Sequence, residues 1–136
     1  MKTKKEMIIG FKSLDDLGKE AIRAIKTKVP KIQPENVIYF DNWTSFRGFM
    51  TLQKLEILTM VSSLEPNSIY ELTQLLERSL AAVQKDCEAL AHAGFISLEK
   101  KKTGRSQVVP RLKFNYDKIV VQLAVNPYIL SFKTAA

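Results

Sequence analysis

Gly94 divides the second half of the chain into two periods, and this division limits the fold more than any other feature of the sequence. Before it, apolar residues recur at helical spacing; after it they alternate as on a strand. A helix is expected from Ser79 or Leu80 to Ala93, with Leu80, Val83, Cys87 and Leu90 within about 80° of arc as one buried stripe and Gly94 as the left-handed stop. Upstream, Ser68 reads as the N-cap of a helix running through Leu72 and Leu75 to Leu76, with Glu71 completing a capping box. Further upstream, Gly48 is expected to separate a short helix bearing Trp43, Phe46 and Phe49 from a longer one that starts at Thr51. In the longer helix Leu52, Leu55, Leu58 and Val61 form the apolar stripe. Leu52, Leu55, Leu58, Leu72, Leu75 and Val83 are the expected core.

Beyond Gly94, Phe95 to Leu98 reads as a strand, Lys100 to Arg105 as a polar hairpin tip containing Gly104, and Ser106 to Val109 as the return strand. Pro110 confines that strand to an edge or ends it, and Lys118 to Val125 is a further strand. The N-terminal part opens with a strand from Glu6 to Phe11 and a helix from Leu14 to Lys28, capped by Ser13. That helix has Asp15 and Asp16 in its first turn and Leu14, Leu17, Ala21 and Ile25 at helical spacing. Pro30 stops it, Val29 to Pro34 is a linker, and Asn36 to Phe40 is a strand that Asp41-Asn42 breaks. These elements give an α+β chain with a strand-helix-strand arm over residues 1–42, a helical and hairpin domain over 43–125, and a tail over 126–136.

Three helices with a short turn between the second and third, followed at once by a hairpin with a basic tip, are the layout of a winged helix-turn-helix. Charge agrees in its placement. The net +7 divides into +4 over residues 1–50, −3 over 51–94 and +6 over 95–136, so the excess positive charge lies in the N-terminal arm and beyond Gly94 and favours a polyanionic partner. On the third helix the outer face is expected to hold Arg78, Ala81, Ala82, Lys85, Glu88 and His92. Ser79 offers a hydroxyl, Arg78 and Lys85 offer cations, and the two alanines offer apolar contact to thymine methyls. Each has a plainer reading beside it: Ala81 and Ala82 as ordinary helix formers, Lys85 as a solvated side chain, Arg78 as the partner of Glu77 or of a helix end. Lys100, Lys101, Lys102 and Arg105 are either phosphate contacts or a solvated turn.

Other chemistry is poorly served. Cys87 is the lone cysteine and His92 the lone histidine, so one chain has neither a disulfide nor a zinc site of the usual kind. The two residues lie about 140° apart around their helix, too far for a nucleophile and its base. Five glycines in all supply no phosphate-binding loop. No catalytic activity and no cofactor are expected. With no signal-peptide core and no membrane-length apolar run, the chain is expected in the cytoplasm and away from membranes.

The segments Thr51-Leu52-Gln53-Lys54-Leu55-Glu56-Ile57-Leu58, Ser68-Ile69-Tyr70-Glu71-Leu72, Val83-Gln84-Lys85-Asp86 with Leu90 and Gly94, and Tyr116-Asp117-Lys118-Ile119-Val120-Val121 resemble predicted transcriptional regulators with a MarR-like winged helix from archaea and bacteria. The resemblance covers most of residues 7–123. It implies sequence-directed binding to double-stranded DNA as a homodimer, in a class suspected of acting as antitoxin-like repressors. Two departures stand out: Ala81 and Ala82 replace the polar side chains that relatives often carry there, and the wing is longer and more basic. Asp86 fits the family pattern and is expected to orient a neighbouring cation. Dimerisation is expected through the N-terminal strand and helix with the strand from Lys118. The alternative is an antitoxin-like module whose basic surface grips an acidic protein such as a cognate toxin.

Overall fold

The structure, a computed structural model, describes residues 5–12, 14–27, 36–103, 105–123 and 125. The side chains of Leu14, Leu17, Ala21, residues 24–27, 101–103, 105 and 106 lie outside that description. So do the expected cap Ser13, Lys28, the linker from Val29 to Pro34, Gly104 and the tail from Asn126. The protein is α+β, in the order β1 (Lys5–Phe11), α1 (Leu14–Thr27), β2 (Val37–Phe40), α2 (Trp43–Phe49), α3 (Leu52–Leu64), α4 (Ile69–Leu76), α5 (Leu80–Ala93), β3 (Ile96–Thr103), β4 (Arg105–Leu112) and β5 (Tyr116–Val121). Two compact units form: one takes β1, α1, β2, α2 and β5 from Lys118, the other residues 50–117. The divisions fall at Phe49 and Lys118, where the sequence placed them at 42 and 125.

In the first unit a three-stranded sheet has the order β2-β1-β5. Strands β1 and β2 run parallel with Ile8 opposite Val37 and Phe11 opposite Phe40, which requires the crossover that α1 supplies. Met7 and Ile9 are fully buried, two residues apart on one face. Gly10, opposite Tyr39, has no Cβ because one would stand 2.8 Å from the Tyr39 ring. Lys12 lies over that same ring, 4.8 Å from its centre, and donates to Glu20 at 2.7 Å. This hydrogen bond is the main reason the ammonium pKa is raised. The aromatic residues of the short helix gather about Phe46, with Phe40 at 5.2 Å and Trp43 at 5.8 Å between ring centres. Asn42, which ends β2, caps α2 by accepting from the Ser45 amide at 2.9 Å. Gly48 does not break the helix; α2 continues to Phe49, and the interruption comes at Met50-Thr51, where Thr51 accepts from the Lys54 amide as the cap of α3.

In the second unit three helices and the β3–β4 hairpin share one core. Ile57 and Val61 of α3, Leu72 of α4, Val83, Cys87 and Leu90 of α5, and Phe95, Ile96 and Val109 of the hairpin are all buried. Arg111 of β4 donates to the Pro66 carbonyl, in the turn between α3 and α4, at 2.6 Å, and the Tyr116 hydroxyl, at the start of β5, donates to the Phe95 carbonyl, just ahead of β3, at 2.8 Å. Burial also holds the Tyr116 phenol pKa above its usual value. Several expected core residues are not core. Leu52 is 67% exposed, and Leu55, Leu75 and Leu80 are exposed as well. On α3 the buried side is Ile57, Leu58 and Val61; an i, i+3 stripe turns by about 60° at each step, so Leu58 and Val61 of the expected stripe reach the core while Leu55 lies at its edge and Leu52 across the helix axis.

The paired strands of the hairpin are longer than expected. Strand β3 pairs with β4 from Ile96 opposite Leu112 to Thr103 opposite Arg105. Lys100, Lys101 and Lys102 are therefore strand residues, opposite Val108, Gln107 and Ser106, and not members of a loop. Pro110 sits inside β4 opposite Leu98, a position open to proline because β4 has a single partner strand.

Candidate functional site

The turn between α4 and α5 is three residues, Glu77, Arg78 and Ser79. Glu77 adopts a left-handed conformation at φ 54°. Its amide reaches the Gln74 carbonyl, and the Arg78 amide reaches the Thr73 carbonyl at 3.2 Å, so the last carbonyls of α4 are satisfied by a Schellman closure without glycine. Ser79 then opens α5 by accepting from the Ala82 amide at 3.3 Å, which occupies an acceptor position of its hydroxyl and leaves the O–H free to donate. At the other end, Gly94 at φ 99° closes α5 with the same pair of bonds, from Gly94 to Ala91 and from Phe95 to Leu90.

Arg78 does not face outward as a free cation. Its Nη2 donates to Asp86 Oδ2 at 2.9 Å, with both side chains mostly buried, and its Nη1 is buried with no hydrogen-bond partner among the described residues. The expectation that Asp86 orients a neighbouring cation is met. Of the two plainer readings for Arg78, neither Glu77 nor a helix end takes the guanidinium; the acid two turns into α5 does. The ion pair clamps the turn to α5.

The exposed face of α5 holds Leu80, Ala81, Gln84, Lys85, Glu88 and His92. Ala82 is half-buried on the flank, about 100° from Ala81, so the two alanines do not act as a pair. Lys85 and Lys100 are exposed, while the side chains of Lys101, Lys102 and Arg105 lie outside the described residues. Sequence reasoning passed over Gln84, Tyr70 and Gln107. With Ser68, Ile69, Leu80 and Val108 these line an open groove of about 590 Å³ between the start of α4, the first turns of α5 and strand β4. The signal was available in part: assigning Leu80 to the buried stripe rotated the expected outer face away from Gln84. With Leu80 outside, Gln84 falls about 40° from it, in the opening turns of the exposed face.

Cys87 is fully buried, and desolvation, with Asp86 adding to it, pushes its thiol pKa up to about 12. The thiol is inert at neutral pH. Among the described residues no three of His, Cys, Asp and Glu gather as a metal site requires, and no helix is long and apolar enough to cross a membrane.

The family model HVO_A0114 matches residues 49–121, more than half of the 136 residues. The match covers α3, α4, α5, the hairpin and β5, and the chain belongs to this family. No curated protein and no solved structure matches it.

Proposed function

We propose that this member of the HVO_A0114 family is a winged helix-turn-helix protein that binds double-stranded DNA as a homodimer and represses transcription in the cytoplasm, in the manner of MarR-like regulators, with no catalytic activity. Helix α5 enters the major groove, and the β3–β4 hairpin is the wing, lying on the neighbouring backbone. One observation carries this reading: α5 is anchored on one side by Val83, Cys87 and Leu90 and leaves Ala81, Gln84 and Lys85 exposed, directly after a three-residue turn and directly before a lysine-bearing hairpin. A recognition helix needs that division between a docked side and a free opening turn. The sheet β2-β1-β5 is the proposed dimerisation element.

On this reading Ser79, Ala81, Lys85, Lys100, Lys101, Lys102 and Arg105 contact DNA, and Arg78 holds the turn in place through Asp86. Affinity is chiefly electrostatic, because residues 51–94 are net −3 and the cations lie in the wing and the arm. If about eight phosphates are neutralised per dimer, log K falls with log salt at a slope of roughly −7. Fluorescence anisotropy of labelled random-sequence duplex across a salt series tests this. Lys100→Ala is expected to flatten the slope by about one unit for each lysine lost from the interface. Replacing Lys101 and Lys102 by Ala weakens binding alike on every sequence, and Lys85→Ala shifts sequence preference. Light scattering is expected to give two chains of 15.5 kDa each. A chain that ignores duplex DNA at low salt, yet retains a protein partner after nuclease treatment, would instead be an antitoxin-like interaction module.

A further inference from the structure

We propose that Gln84 reads a base beside Lys85 and that it selects an A·T pair, its carboxamide on adenine and the thymine methyl against Leu80 and Ala81. The inference rests on the reading of α5 as a recognition helix and adds to it the identity of the base pair. The exposed face of α5 carries Leu80, Ala81, Gln84, Lys85, Glu88 and His92, and of these only Gln84 presents a donor and an acceptor side by side and pointing the same way, since the two ring nitrogens of His92 point apart. Adenine offers an acceptor at N7 and a donor at N6 in the major groove, the pattern that a carboxamide matches with two parallel hydrogen bonds. Guanine offers two acceptors, which arginine or lysine satisfies; Lys85, exposed on the same face, suits such a pair, whereas the carboxamide of Gln84 suits adenine. This face has no such arginine, since Arg78 is bound to Asp86 in a mostly buried pair.

Gln84 is also held for the task. Its Nε2 donates to Glu88 Oε1, one turn on, at 3.4 Å. An amide nitrogen carries two hydrogens, and on the proposed reading Glu88 takes the one trans to Oε1, which leaves the cis hydrogen and Oε1 as an adjacent donor and acceptor. Glu88 is thus a positioning residue: its carboxylate, an acceptor only, draws the nitrogen end of the carboxamide toward itself. Apolar surface lies where the thymine partner needs it. Leu80 is one turn before Gln84 on the same side and lines the same groove, and Ala81 is exposed beside it.

The test is selection of bound duplexes from a random-sequence library by the full chain, the Gln84→Ala variant and the Glu88→Ala and Glu88→Gln variants. The wild-type chain is expected to enrich a half-site with one A·T pair, Gln84→Ala to lose preference at that pair by about tenfold, and affinity for unselected duplex at low salt to change little. Glu88→Ala broadens the preference at the same pair, whereas Glu88→Gln, which keeps an acceptor, retains it. Replacing that thymine by uracil removes only the methyl and is expected to weaken wild-type binding about fourfold. All three substitutions are on exposed side chains, so an unchanged thermal midpoint verifies the fold. A wild-type motif whose informative pairs are all G·C, or an identical motif from Gln84→Ala, overturns this assignment and leaves DNA binding intact. No duplex bound by the wild-type chain at low salt overturns both.

Discussion

Helices α3 and α5 are near twins in length, 13 and 14 residues, and each carries an apolar residue every third or fourth position. The structure treats them differently. In α5 three of the four stripe residues, Val83, Cys87 and Leu90, are buried. In α3 two of the four, Leu58 and Val61, are buried, and Ile57, outside the expected stripe, is fully buried instead. Both helices expose their first leucine, Leu52 and Leu80. Periodicity places residues on a common face, but it does not say how much of that face the neighbours reach. α5 is polar or small opposite its stripe, so only one rotation buries its large residues, whereas α3 offers leucines on two sides and lets packing choose.

The largest expected effects test the buried halves of this comparison. Ile57→Ala and Leu90→Ala remove fully buried side chains and are expected to cost about 2–5 kcal/mol each in urea unfolding followed by circular dichroism. If Leu52→Ala costs as much as Ile57→Ala, the outer face of α3 is covered in solution and the contrast fails.

Intermediate effects come from the helix ends. Ser79→Ala loses the cap of α5 and is expected to destabilise by about 1 kcal/mol in the same measurement. Glu77→Gly acts in the opposite direction, because Glu77 and Gly94 end their helices with the same closure while only one is glycine. The left-handed backbone costs an L-residue about 1–2 kcal/mol, and glycine loses part of that gain to the greater freedom of its unfolded chain, so a net rise of roughly 0.5 kcal/mol is expected. A loss of stability in Glu77→Gly would mean that its side chain contributes something the cap geometry does not reveal. The smallest effects belong to the two exposed leucines: Leu52→Ala and Leu80→Ala are each expected within about 0.5 kcal/mol of the parent. Leu80→Ala gains a second use, since on the proposed reading it alters DNA preference while leaving stability almost unchanged.

Much of the second unit could be read from the sequence because its signals are local. Ser68, Thr51, Ser79 and Gly94 sit at the helix ends they were expected to mark, although Glu71 reaches back to the Asn67 amide and not to that of Ser68. The hairpin was legible as a hairpin but not in its length, because lysines near a glycine look like a loop until the pairing of Lys100 with Val108 gives them a ladder. Arg78 was open between several roles for the same reason: its partner Asp86 is eight positions away, beyond any i to i+4 rule.

From its amino acids alone the chain determined which stretches are helices and strands, where α4 stops and α5 begins, and that its excess positive charge lies outside residues 51–94. Each of these follows from capping chemistry, period and side-chain charge acting over a few residues. Tertiary structure decided which side of α3 is core, that Arg78 is spent on Asp86, that Gln84 is exposed in the opening turns of α5, and that β5 joins β1 and β2 in one sheet. Those outcomes depend on which surfaces meet across long separations in the chain, and a burial or an ion pair of that kind exists only once both partners are in place.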